Sequence, residues 1–257
     1  MPRIVNSSPS AEIVDKVLVI AAYKEFDNLK ELLTALDLLL PLSIAFIVAD
    51  DTGIRAESRI EALVKGSLRE TRNWIITFEK NKSGRGSSVL RGFNTARVHY
   101  PGGEFFAECD ADGSHRPGDI AKILLAPPSD FLIGSRYLPS SRIVGWPISR
   151  RIASKILNYL IPKALGIRCT DVTNGLRRYS KIATEVIIQH PQVNSGFIFL
   201  SEQALVLSKL GINPKEESII FVNRIHGESS VGLSEVLNSF KGVINLYREN
   251  KRNNSWN

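Results

Sequence analysis

The chain has 257 residues, 43% hydrophobic and 23% charged, the composition of a globular protein long enough to bury a sizeable core. No run approaches the roughly 18 apolar residues of a membrane span, and the polar start at 1–10 lacks the apolar centre of a signal peptide. Two cysteines, Cys109 and Cys169, exclude a disulfide framework and fit a reducing cytoplasm, while a net charge of +7 favours anionic partners without choosing among nucleic acid, phosphorylated small molecules and acidic lipid.

Residues 1–15 read as a flexible lead. Short β-rich runs at 17–21, 44–49, 74–78, 105–109 and 131–134 predict strands bounded by polar or glycine segments. Between the first two, Leu29, Leu32, Leu33, Leu36, Leu39 and Leu40 recur at helical spacing, with Asp27 as a cap and Pro41 as the stop. Further helices are expected at 56–68, 88–98 and 117–125, the last opened by Pro117. Strands alternating with helices predict an α/β fold, a Rossmann-like, mainly parallel sheet covered on both faces, with ligands beyond the carboxyl ends of the strands. A helix over 149–166 follows, which Pro162 should kink or split. A second amphipathic helix is expected over 231–250, where Leu233, Val236, Leu237, Phe240, Val243, Ile244 and Tyr247 form one stripe. The polar tail at 251–257 is expected to fray.

The sharpest local signal is Glu108-Cys109-Asp110-Ala111-Asp112-Gly113-Ser114-His115-Arg116-Pro117, in which an apolar strand delivers two carboxylates into a glycine-containing turn. Such a pair repels itself unless a cation lies between, and Mg²⁺ commonly takes one or two carboxylates plus substrate phosphate oxygens. An ordinary turn or helix cap is the bland alternative. Asp50 and Asp51 follow the second strand on the same rim, suited to a base N–H or a ribose hydroxyl, or to capping the next helix. Tyr23 could stack on a nucleobase, with Glu25 beside it. The loop Asn81-Lys82-Ser83-Gly84-Arg85-Gly86-Ser87 would let backbone approach phosphate, with Arg85 or Lys82 as counter-charge, although it lacks the spacing of a Walker loop.

Taken together, Ala22-Tyr23-Lys24-Glu25, Ala49-Asp50-Asp51, Gly84-Arg85-Gly86, Asp110-Ala111-Asp112-Gly113-Ser114-His115, Gly134-Ser135-Arg136-Tyr137, Trp146-Pro147, Arg150-Arg151, Asp171 with Thr173-Asn174-Gly175-Leu176-Arg177, and Arg224-x-x-Gly227-x-Ser229 resemble the family 2 glycosyltransferases of GT-A fold, closely the dolichyl- and polyprenyl-phosphate mannose synthases. The resemblance runs from about 17 to 247. It implies one GT-A domain over 16–250, with a nucleotide-binding part at about 16–116 and an acceptor part at about 117–250. It implies inverting transfer of a hexose, mannose from GDP-mannose, to a polyprenyl or dolichyl phosphate. Ala21, Tyr23, Glu25, Asp50, Asp51, Gly84, Arg85, Asp110 and Ala111 would bind the nucleotide-sugar. Asp110, Asp112 and Ser114 would hold Mg²⁺ or Mn²⁺. Arg136, Arg150, Arg151, Ser154, Arg224 and Ser229 would cradle the acceptor phosphate, and Asp112, Arg136 and Arg224 would be catalytic. The chain departs from the family at Ala21, where proline is usual, at Lys24, where asparagine is usual, and at Ser230, where a lysine commonly follows Gly-x-Ser.

A phosphate acceptor is already a nucleophile, whereas a hydroxyl acceptor would need a carboxylate base, for which Asp171 and Glu202 are candidates. A UDP-sugar or other nucleotide-sugar donor is the alternative. Nucleic acid is not an expected partner, because the acids at 50, 51, 110 and 112 would repel phosphate without a metal. With no span, peripheral attachment at the cytoplasmic face of a membrane is expected, through the apolar faces at 149–166 and 231–250.

Overall fold

The computed structural model describes residues 3–7, 13–191 and 198–223; the expected helix over 231–250, the tail at 251–257, and the site candidates Arg224 and Ser229 lie outside them. The elements in chain order are β1 (Arg3–Asn6), β2 (Lys16–Ala22), α1 (Phe26–Leu39), β3 (Ile44–Asp50), a 3-10 turn (Ile54–Ala56) running into α2 (Glu57–Ser67), β4 (Trp74–Phe78), α3 (Arg85–His99), β5 (Phe105–Asp110), α4 (Pro117–Leu125), β6 (Phe131–Ser135), β7 (Arg142–Val144), α5 (Ile148–Leu165), β8 (Arg177–Ser180), α6 (Lys181–Gln189), α7 (Ile198–Lys209), β9 (Lys215–Ser218) and β10 (Ile220–Val222).

Eight strands form one sheet in the order β1-β4-β3-β2-β5-β8-β6-β9, and β10 pairs with β7 in a second, two-stranded sheet. The run β4-β3-β2-β5 is parallel. Its strands are apolar on both faces because both are covered. Alternate residues go to opposite sides, as the two-residue period of a strand requires. Val17, Val19, Ala45 and Ile47 pack with Val89 and Phe93 of α3 and Phe199 of α7. Leu18, Ile20, Phe46 and Val48 pack with Leu29, Leu33 and Leu36 of α1, Ile60 of α2 and Ile120 of α4. The chain runs outward from β2 through β3 to β4 and returns to place β5 on the other side of β2. That reversal leaves a crevice beyond the carboxyl ends of β2 and β5, where open α/β sheets bind ligands.

The five expected strands and four expected α1–α4 helices all occur, and the mainly parallel sheet with helices on both faces is as the pattern predicted. Several details differ. Arg3–Asn6, read as part of a flexible lead, pairs antiparallel with β4 and forms one edge of the sheet. Asp27 is not the cap of α1: Glu25 holds the N-cap position without a side-chain bond, and Asp27 lies in the first turn. Pro162 does not split α5, which runs unbroken from Ile148 to Leu165. Its missing N–H falls in the last turn, and its carbonyl then accepts the Gly166 and Ile167 N–H groups that close the helix. The antiparallel insertion of β8 between β5 and β6 was not expected either, because Arg177-Arg178-Tyr179-Ser180 does not read as a buried strand. Both arginines are nonetheless fully buried. Arg177 bonds the Asn174, Leu200 and Val172 carbonyls, and Arg178 bonds those of Ala126 and Pro127. No helix among the described residues is long and apolar enough to cross a membrane.

Candidate active site

At the end of β5 two carboxylates enter one cavity at the switch point, which Asp110, Asp112, Ser114, Asn174 and Gly175 line from the sheet side. Asp112 is buried, and its Oδ1 accepts the Ser114 N–H at 3.0 Å, so the turn after the strand orients the carboxylate. His115 secures the same turn from below. The Asn174 amide nitrogen donates to the Gly134 carbonyl, so its oxygen faces His115 Nε2 at 2.9 Å. His115 therefore carries its proton on Nε2, leaving Nδ1 to accept the Asp110 N–H at 3.5 Å.

Asp110 does not stand without a cation. Its Oδ1 accepts Arg85 Nε at 2.6 Å, while Arg85 Nη1 donates to Glu108 Oε2 at 2.7 Å and Nη2 to the Gly175 carbonyl at 2.9 Å. Burial works against the Arg85 charge, but Asp110 and Glu108 outweigh it and hold the guanidinium above the usual arginine range. Glu108 is fully buried and accepts the Tyr179 hydroxyl on its other oxygen at 2.7 Å. Arg85 is thus engaged by three acceptors inside the fold. Sequence separation hid the pair, which joins the start of α3 to the end of β5.

The far wall comes from the loop after β6 and from α5. Arg136 Nε and Nη2 each lie 2.7 Å from an Asp171 oxygen, and the Arg136 backbone N–H adds a third bond at 2.9 Å. Burial disfavours the Arg136 charge, and the Asp171 carboxylate more than restores it, raising its pKa. The guanidinium carbon lies 5.5 Å from the Trp146 ring centre and 5.1 Å from that of Phe221, so aromatic faces enclose it. Arg150 stacks on the other reach of Trp146 at 4.1 Å. Ser154 accepts the Tyr137 hydroxyl at 2.6 Å. Arg136, Arg150 and Ser154 line the cavity opposite the carboxylates, and Ala153, Leu157, Ile161, Ile198 and Leu200 give it an apolar flank. Arg151 does not join them; it is exposed and donates to the Ile143 carbonyl at 2.6 Å, one position further round the helix. Asp171 and Glu202, candidate bases for a hydroxyl acceptor, are buried, the first against Arg136 and the second 3.4 Å from His190.

The nucleotide-side candidates lie on the rim of β2, β3 and the Gly84 loop. The Ala111 N–H bonds the Ala21 carbonyl at 3.0 Å, tying β5 to β2 where they diverge. Tyr23 is partly exposed, with Lys82 Nζ 4.2 Å from its ring centre, and Glu25 accepts Asn28 Nδ2 at 2.6 Å. Lys24 adopts φ 60, a left-handed conformation that asparagine tolerates better than lysine. Asp50 is wholly buried and accepts the Thr52 N–H and hydroxyl, both at 2.9 Å, so its carboxylate shapes the turn. Asp51 accepts the Ser83 and Gly84 N–H groups at 2.8 and 2.9 Å and Arg91 Nη2 at 3.0 Å. It thereby fixes Gly84 at φ 93, where the chain turns into α3. Trp146, Thr173, Asn174 and Gly175 lay within recognisable motifs without a role assigned to them; Ser201, Phe221 and Asn223 also line the cavity and carried no signal in sequence.

Among the described residues no group of three or more His, Cys, Asp or Glu could hold a metal. The hard oxygen donors that do converge, Asp110 and Asp112 with Ser114 alongside, suit an ion that takes its remaining ligands from a bound phosphate. Residues 17–187 match the model of Glycosyl transferase family 2. The undecaprenyl-phosphate mannosyltransferase of Micrococcus luteus is 29% identical over 218 residues, covering 83% of this chain and 86% of that protein. The polyprenol monophosphomannose synthase of Mycolicibacterium smegmatis is 27% identical over 227 residues, 86% of this chain and 82% of that protein. In structure the chain is similar to glucosyl-3-phosphoglycerate synthase from Mycobacterium tuberculosis, solved with Mn²⁺, UDP and glucosyl-3-phosphoglycerate. The TM-score is 0.60 and the identity 16%, over 92% of this chain and 80% of that one. The sheet with its β2/β5 crevice and the match across most of the chain agree: this is a glycosyltransferase of GT-A fold, and it belongs to glycosyl transferase family 2.

Proposed function

We propose that the chain transfers mannose from GDP-mannose to the phosphate of a polyprenyl or dolichyl lipid, with inversion and with Mg²⁺ or Mn²⁺ held by Asp110 and Asp112. One observation carries this reading: two carboxylates, two guanidinium groups and an apolar flank share a single cavity at the sheet's switch point. The two mannosyl-lipid relatives support the choice of sugar and acceptor.

A lipid phosphate has a second pKa of roughly 6 and is largely a dianion at neutral pH. It needs no general base, which agrees with the burial and pairing of Asp171 and Glu202. Arg136 and Arg150 would hold that phosphate, with Ser154 at its edge, and align one oxygen behind the anomeric carbon. Attack from that side inverts the centre. A divalent ion at Asp110 and Asp112 would neutralise charge on the departing diphosphate. Tyr23 and Glu25 would hold the nucleoside, with the Gly84 loop, set by Asp51, lying under it. Arg224 and Ser229, outside the described residues, would complete the phosphate cradle as the resemblance implies. The flank of Ala153, Leu157 and Ile161 would receive the start of the prenyl chain.

The outer face of α5 supports membrane contact. Ile148, Ile152, Ile156, Tyr159 and Leu160 are exposed at helical spacing, with Arg151, Lys155 and Lys163 beside them. Such a face suits the interfacial plane of an anionic bilayer, with the chain peripheral at the cytoplasmic surface.

The test is a donor panel with purified protein, polyprenyl phosphate and Mg²⁺ or Mn²⁺, following label into the organic phase. GDP-mannose is expected to be the donor that labels lipid, with the signal lost in chelator and in Asp112→Ala. Labelling from a UDP-sugar in its place would overturn the donor assignment, and full activity of Asp112→Ala would overturn the metal site.

A further inference from the structure

We infer that Glu216 of β9 is a positioning residue for the acceptor phosphate, holding Arg136 both through the backbone beside it and through the carboxylate that pairs with it. The inference rests on the reading of Arg136 as a ligand of that phosphate. Glu216 does not line the cavity, so it acts there through other residues. Three donors converge on it. Its Oε2 accepts the Thr170 N–H at 2.8 Å, and its Oε1 accepts the Thr170 hydroxyl at 2.7 Å and the Asp171 N–H at 3.1 Å. The register of the sheet delivers it, because β9 runs parallel to β6 with Glu216 opposite Ile133 and Ser218 opposite Ser135.

One arm runs through Asp171. Glu216 holds its N–H, and its carboxylate receives the Nε, Nη2 and backbone N–H of Arg136. The second arm starts at the Thr170 hydroxyl. A carboxylate only accepts, so this hydroxyl gives its proton to Glu216 and takes one from Ser135, whose Oγ lies 2.7 Å away. Ser135 Oγ in turn accepts the Tyr137 N–H at 3.2 Å. The chain from Tyr137 through Ser135 and Thr170 to Glu216 therefore has one direction, each bond polarising the next. It grips the residues on either side of Arg136. The guanidinium is a rigid plane, and among the described residues its Nε and Nη2 are taken by Asp171 and Thr173. Nη1 is the end left to meet a phosphate, and it moves wherever the Asp171 carboxylate moves.

The experiment is a transfer assay of the full chain with polyprenyl phosphate and the labelled nucleotide-sugar that the donor panel selects, varying each substrate in turn. Glu216→Gln keeps the shape of the side chain and sets an amide NH₂ against a donor that the carboxylate accepted. It should raise KM for the lipid about 10-fold and change KM for the nucleotide-sugar less than about 2-fold, since small misplacements of an aligning group are costly. Thr170→Val cuts the link to Ser135, leaves both N–H bonds to Glu216, and should raise the lipid KM about 3-fold. Hydrogen exchange read by mass spectrometry is the second measurement. In Glu216→Gln, protection should fall at 136–137 as well as at 170–171, although Glu216 bonds only the latter pair. A loss confined to 170–171 would overturn the link to Arg136. An equal rise in both KM values would make Glu216 a general support of the fold and overturn its positioning role. A wild type that labels no lipid would overturn the acceptor reading and this inference together. A wild type that does, with an unchanged lipid KM in whichever variants fold, would overturn this inference alone.

Discussion

Replacing Asp171 with alanine tests whether the Arg136 wall is built by a buried ion pair. Asp171 has no exposed surface and the Arg136 side chain is 6% exposed. The substitution removes two side-chain bonds of 2.7 Å and leaves the Arg136 backbone N–H without its 2.9 Å acceptor. Breaking one side of such a pair typically costs about 3–5 kcal/mol, because the remaining charge stays buried and unpaired. In a domain of this size each kcal/mol moves the melting temperature by about 2–4 °C, so a fall of about 6–20 °C is expected. Urea unfolding followed by far-UV circular dichroism and tryptophan fluorescence would measure the free energy, and calorimetry the temperature. Arg136→Met with Asp171→Leu removes both charges together and should recover at least about 2 kcal/mol of the loss, since apolar replacements of buried pairs are often close to neutral. A loss below about 1 kcal/mol in Asp171→Ala, or a double variant no better than the single, would refute the claim that this pair organises the wall.

Three further outcomes are expected. Lys24→Asn relieves a left-handed φ of 60 and should raise stability by up to about 1 kcal/mol in urea unfolding; no gain would mean that the turn holds lysine without strain. Burial, with Asp51 adding repulsion against the Thr52 bonds, raises the Asp50 pKa above its ordinary 3.8, so the ionised form costs stability. That cost is absent below pH 3.8 and grows as pH rises through the folded value. The stability of Asp50→Asn relative to wild type should therefore increase with pH above 3.8, and a flat difference would show that Asp50 titrates normally. Ile152→Glu with Ile156→Glu alters exposed positions and should leave the melting curve unchanged while abolishing co-flotation with vesicles containing phosphatidylglycerol; retained flotation would remove α5 from the membrane contact.

The parallel sheet was legible because its signals are local. Apolar runs at 17–21, 44–49 and 74–78, punctuated by turns and by the leucine stripe of α1, carry their own periodicity, and Asp110-Ala111-Asp112 announces itself at the end of such a run. The positions of the acids could be read on the same ground, as residues that follow strands in an alternating fold. Their partners could not. Arg85 meets Glu108 and Asp110 because α3 starts beside the end of β5, and Arg136 meets Asp171 because β6 and the loop before β8 come together. Glu216, with no motif around it, anchors the Thr170 and Asp171 N–H groups from β9 at 2.8 and 3.1 Å. Whether a charged residue is free for substrate or spent inside the fold depends on contacts between distant segments. Packing gives Arg85 three acceptors inside the fold, gives Asp50 the Thr52 N–H and hydroxyl as donors, and turns Arg151 outward. Pattern along the chain therefore determined the parallel strands of the sheet, the helices α1–α5 and the rim on which chemistry sits. Only the folded arrangement decided which charges face the cavity, because charge pairing is set by distance in space and not by separation in sequence.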